Sequence, residues 1–181
     1  MLQHHQPKHD PERIWVDKLE PKVIALRTEL RGVAPDDIAR RSGASLEGGR
    51  LRLSMLFDDY EVTTDDYMVS RPDGSEVNNF LQSLVLTYLG TAKDGLPAGR
   101  WVTFRDLPNG SFYNLAFQGY GPDRLAKRWQ LDVDGFGAAC RALGGTPIEY
   151  GDAGFAFTVL PHIDVAAIYW LGDDEFPSKA S

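Results

Sequence analysis

Apolar and polar residues alternate along this chain with a period that changes several times, and each change marks an element. From Trp15, apolar side chains recur at Leu19, Val23, Leu26 and Leu30, the three- and four-residue steps of an amphipathic helix. Pro21 falls inside that stripe, so the helix either starts there, where a missing N–H costs nothing, or is kinked there. In APDDIARRSG the grammar of a short second helix is complete. Pro35 opens it, Asp36 and Asp37 face its positive end, Arg40 and Arg41 its negative end, and Gly43 supplies a left-handed cap. The period then drops to two. RLRLSMLF places Leu51, Leu53, Met55 and Phe57 on one side, the pattern of a strand with one buried face. YEVT and YMVS are its expected partners, ahead of a turn at Pro72, Asp73 and Gly74, so a small antiparallel meander is predicted. SEVNNFLQSLVLTYLG is the clearest helix, with Ser75 as cap, a stripe of Val77, Phe80, Leu81, Leu84, Val85, Tyr88 and Leu89, and Gly90 at its end.

In the second half RWVTFRDL reads as a strand and PNG as a turn. SFYNLAFQGYG suggests a helix packed closely through Phe112, Leu115, Ala116 and Gly119. Pro122 opens PDRLAKRW, with Leu125 and Trp129 on one face. DGFGAACRALGG is a further helix, buried through Phe136, Ala139, Cys140 and Leu143 and stopped by Gly144 and Gly145. PIEY, GFAFTVL and IDVAAIYWL read as strands, the first two joined by the turn GDAG. Strands and helices come in clusters without strict βαβ alternation, which predicts an α+β fold with a mainly antiparallel sheet covered by several helices. Residues 1–11 read as a polar leader and 12–181 as a single compact domain.

Composition narrows the function classes. The 181 residues suffice for one ordinary core, and 43% hydrophobic with 25% charged residues argue against disordered and fibrous classes. The longest apolar run, Ile163 to Leu171 broken by Asp164, falls far short of the roughly 20 residues of a membrane span, so no membrane partner is expected. No secretion signal is visible, and a cytoplasmic address is expected. A net charge of −7 repels a polyanion, so nucleic acid is not an expected partner either. The single cysteine cannot form an internal disulfide, a zinc finger or an iron–sulfur cluster.

Candidate chemistry is sparse. His4, His5 and His9 could take up a transition metal, but a leader without supporting hydrogen bonds reads as a solvated tail. Cys140 sits on the apolar stripe of its helix and reads as a core thiol. The glycine-rich pieces GASLEGG, GYGPD and RALGGTP match neither phosphate-loop spacing and read as turns and caps. Three carboxylate clusters, Asp58–Asp59, Asp65–Asp66 and Asp173–Asp174–Glu175, could hold a hard cation or act as acid and base, and could equally be solvated turns; no metal site is assigned. His162, after Pro161 at a strand entrance, could ligate a metal axially, shuttle a proton, or simply hydrogen-bond at the rim of the sheet. At 3.3 Å per residue, a strand over 163–171 would separate His162 from Asp173 by roughly 36 Å, so the two cannot share one site.

Several segments together resemble a family of uncharacterised bacterial and archaeal proteins, the domain of unknown function 3786. They are LVLTYLGTAKDGLPAGRW, GRWVTFRDLPNGSFYNLAF, LAKRW with FGAACRALGG, and GDAGFAFTVLPHIDVAAIYWLGDDEFP, and the likeness spans about residues 10–181. The resemblance implies a cytoplasmic domain of anaerobes, sometimes attached to an iron–sulfur segment, with no established reaction. It also implies that this chain stops short of a further apolar strand. The expectation is therefore an accessory binding protein of unknown reaction. It would hold a small molecule, such as a tetrapyrrole or other redox cofactor, in a pocket lined by Trp101, Phe104, Tyr113, Phe117, His162 and Trp170. One alternative is a metal-dependent or acid/base enzyme using His162 or the carboxylates. The other is an interaction module for an iron–sulfur protein, using the helix at 76–90 or an open sheet edge.

Overall fold

A computed structural model describes residues 16–95 and 99–181, so the leader histidines and Trp15 lie outside the described residues. The chain is α+β, with the strands divided between two four-stranded antiparallel sheets, β1-β2-β3-β4 and β5-β6-β7-β8. The described residues fall into two units: 16–95 with Leu160–His162, and 99–159 with Ile163–Ser181.

In the first unit, α1 (Glu20–Leu30) carries Pro21 in its first turn, so the proline opens the helix and does not kink it. Helix α2 (Pro35–Ser42) has the expected charge order and ends on Gly43 at φ +70°. Strands β1 (Ser45–Glu47) and β2 (Arg50–Met55) follow, joined by Gly48 and Gly49, both at positive φ. The glycine-rich GASLEGG thus holds the cap of α2, strand β1 and, at Gly48–Gly49, a two-residue hairpin turn, the conformation for which paired glycines are best suited. Strands β3 (Asp58–Thr63) and β4 (Val69–Ser70) complete the predicted meander. Leu51, Leu53 and Met55 of β2 bury the same face as Tyr60 and Val62 of β3, with Leu51 opposite Val62 and Leu53 opposite Tyr60. Phe57 departs from the predicted stripe. It lies with Leu56 in the two-residue turn between Met55 and Asp58, exposed, because the strand has already reversed.

Helix α3 (Asn79–Thr91) lies on this core through Val85, Leu86 and Leu89. Its cap is Asn78, whose side chain accepts from Leu81 N at 3.0 Å, and not Ser75, because Glu76 is bridged to Ser70 and keeps the chain extended to that point. Gly90 does not end it; the helix runs one residue further. The buried face is also rotated from the apolar stripe. Phe80 and Leu84 are exposed, whereas Gln82 and Ser83 are buried because both polar ends are satisfied. Gln82 Nε2 donates to Val77 O at 2.9 Å, its Oε1 accepts from the Arg27 guanidinium, and Ser83 Oγ donates to Phe80 O at 2.8 Å.

In the second unit no strand forms at RWVTFRDL. The Asp106 carboxylate accepts from Thr103 N and Oγ1 at 3.1 and 2.8 Å, which folds Phe104–Asp106 into a 3-10 turn. Three helices follow: α4 (Gly110–Tyr120), α5 (Pro122–Trp129) and α6 (Val133–Ala142), the last capped by Asp132. Strands β5 (Thr146–Ile148), β6 (Ala153–Leu160), β7 (Ile163–Trp170) and β8 (Lys179–Ala180) form the second sheet. The core is aromatic: Phe136 of α6 lies 5.0 Å from the Tyr169 ring, 6.1 Å from Phe155 and 6.4 Å from Trp129, centroid to centroid. Tyr169 is fully buried and its hydroxyl is placed on Gln130 O at 2.7 Å and Ala126 O at 3.2 Å, fastening β7 to the end of α5. Leu143 is exposed, beyond the last turn of α6, and is not part of the buried stripe.

Candidate functional site

Helix α4 is apolar without being buried. Its eleven residues, GSFYNLAFQGY, contain no charge, and the stripe expected to pack closely faces solvent. Phe112 and Leu115 are each 87% exposed, Tyr120 74% and Tyr113 62%, and Ala116 and Gly119 are exposed beside them. Phe112 and Tyr113 meet edge to face at 5.8 Å. The helix is held through Phe117, which stacks on Phe104 of the 3-10 turn with centroids 4.2 Å apart and planes 5° from parallel. At its N-terminus Gly110 is buried where a Cβ would lie 1.8 Å from Phe104 O, so only glycine lets the helix start against that turn.

The six residues expected to line one pocket are therefore distributed as follows. Phe104 and Phe117 are brought together, each covering the other's ring face. Tyr113 stands on the open side of α4. Trp101, before the 3-10 turn, and Trp170, at the end of β7, are each 38% exposed. His162 belongs to the first unit. There its backbone N–H donates to Tyr88 Oη at 3.1 Å, and the Tyr88 hydroxyl donates to Ser42 O at 2.6 Å. Burial holds the Tyr88 phenol above its ordinary range. The adjoining Gly43 lets the turn approach: a Cβ there would lie 2.9 Å from His162 Nε2 and 3.0 Å from Pro161 Cβ. Tyr88, read from sequence only as one more apolar position, is thus the hydrogen-bonding centre of this seat. No spacing rule could reveal that, since its partners lie 46 and 74 residues away.

The carboxylates are engaged locally. Asp58 pairs with Arg71, and Asp59 accepts from Ser54 Oγ at 2.6 Å. Asp66 accepts from Thr63 Oγ1 and from Met68 N, bonds that hold it below the usual carboxylate range. Asp173 accepts from Glu175 N at 2.9 Å and Phe176 N at 2.8 Å, closing its own turn and lowering its pKa in the same way. Among the described residues, no group of three or more His, Cys, Asp or Glu converges as a metal site would. Cys140 is buried in the aromatic core, and burial pushes its thiol up, away from the thiolate a nucleophile needs. No helix among the described residues is long and apolar enough to cross a membrane.

The sequence model of a family described as a domain of unknown function (DUF3786) matches residues 34–181. The chain belongs to that family. No curated protein and no solved structure matches it. The DUF3786 match begins just before α2 and runs through both sheets, so it takes in the Tyr88 seat and the exposed face of α4 alike.

Proposed function

We propose that this member of the DUF3786 family is an accessory binding protein that docks another protein on the exposed face of α4. The observation that carries this reading is the pair Phe112 and Leu115, 87% exposed on an uncharged helix. Scattered apolar residues on a surface need no explanation, but a contiguous apolar helix face usually marks an interaction site. Aromatic side chains lose little rotamer entropy on burial and dominate binding hot spots, which suits Phe112, Tyr113 and Tyr120 to this role. A photo-crosslinking residue in place of Leu115, used in extract of the source cells, would identify the partner, and titration of the purified pair would test it. Loss of affinity by more than tenfold in Phe112→Ser/Leu115→Ser is expected. An unchanged affinity in that variant would remove the proposal.

A second reading, a small molecule such as a tetrapyrrole or other planar redox cofactor, draws on the same uncovered rings, with Tyr113 and Trp101 offering ring faces for stacking. The visible spectrum of protein purified without oxygen tests it, and a colourless, ligand-free preparation counts against it.

A further inference from the structure

Exposed cations lie in the elements that flank α4 along the chain, although the chain as a whole carries a net charge of −7. Arg105 lies in the 3-10 turn whose Phe104 stacks on α4, and Arg124, Lys127 and Arg128 lie on α5, which follows α4 after one residue; all four are exposed. Arg124 Cζ stands 5.8 Å from the centroid of the Tyr120 ring, so this charge sits directly against the aromatic face. Among the described residues these four cations form no ion pair, whereas Arg40, Arg50, Arg52 and Arg71 of the first unit share six. The two acids of the same segment, Asp106 and Asp123, offset part of this charge and leave the cations in excess by two.

We infer that the partner of the α4 face is an acidic amphipathic helix, with large apolar side chains along one stripe and Asp or Glu flanking it. This inference rests on the reading of α4 as a docking face and names the chemistry of what docks. An uncharged aromatic centre inside a charged border is the anatomy of a protein interface. A helix that lies in a lipid surface would instead carry Lys and Arg on its own polar face, and α4 has none. Gly119 shares a stripe with Leu115 and Ala116, and a Cβ there would meet nothing within 4 Å, leaving room for the close approach that helix-on-helix packing requires. The cations set orientation and encounter rate, and the apolar centre supplies most of the affinity.

The test uses the full chain and three defined probes: a synthetic amphipathic peptide of about five helical turns with a Leu/Phe stripe and Glu elsewhere, the same peptide with Lys for Glu, and phosphatidylglycerol vesicles. Binding to the Glu peptide at least tenfold tighter than to the Lys peptide is expected, weakening as salt is raised. Arg124→Glu/Lys127→Glu/Arg128→Glu should abolish the preference, and Phe112→Ser/Leu115→Ser should abolish binding. Equal binding of both peptides that still needs Phe112 and Leu115 would overturn the acidic partner and leave the docking face standing. Binding of neither peptide, or of the vesicles in their place, would also overturn the inference. Peptide binding indifferent to Phe112→Ser/Leu115→Ser would remove the docking face itself.

Discussion

Tyr88 and Gly43 show how few atoms hold the Pro161–His162 turn in its unit. The Tyr88 hydroxyl donates to Ser42 O and accepts from His162 N, so Tyr88→Phe leaves a buried carbonyl and a partly buried N–H without that partner. A loss of about 1–3 kcal/mol is expected from urea unfolding, the usual cost of orphaning buried polar groups. Gly43→Ala meets two penalties, a left-handed φ of +70° and a Cβ 2.9 Å from the His162 ring. It should destabilise by at least the 1–2 kcal/mol or so of the backbone term alone, and a thermal melt unchanged from the parent would refute the geometry. Leu56 presents the opposite case. It holds φ +58° in a two-residue turn with its side chain exposed, so Leu56→Gly relieves strain and gives up little packing. Stability is expected to rise by a few tenths to about 1 kcal/mol, measured as a higher urea midpoint at constant slope.

Among the elements, α4 and α6 have similar apolar content and opposite fates. Phe136→Ala in α6 removes the ring on which Tyr169, Phe155 and Trp129 converge and should cost about 3–5 kcal/mol. Phe112→Ser in α4 removes a ring that buries almost nothing and should shift stability by no more than about 0.5 kcal/mol. Comparable losses in the two variants would mean that the α4 face is covered. The sequence marks both helices by the same periodicity, and periodicity reports that a face is apolar without reporting what lies against it. The same gap accounts for α3, where Gln82 and Ser83 are buried by hydrogen bonds that no hydropathy pattern encodes. It accounts also for RWVTFRDL, whose β-like alternation yields to the Thr103–Asp106 pairing. Helix α2 was legible almost to the residue, because Pro35, the ordered charges and Gly43 are local signals that act within one or two turns.

At the scale of the whole molecule, acid is the simplest probe of the polar groups. Asp66, Asp73, Asp106 and Asp173 are all held below their ordinary value of 3.8 by hydrogen bonds to the folded form. A depressed folded pKa contributes stability that is fully present above the unfolded value and is lost as pH falls through the folded one. Stability should therefore be flat in this respect above about pH 5 and decline below about pH 4, in both units, as followed by circular dichroism on acid titration. The sequence by itself determined the α+β class, the meander, the order of most helices and the core fate of Cys140, since these follow from period, caps and turn residues that act locally. Only the tertiary structure decided that the strands divide between two sheets, that His162 sits beside Tyr88, and that the stripe of α4 stays open. Each of those depends on which surfaces distant parts of the chain bring together, and burial is a property of that meeting and not of either partner alone.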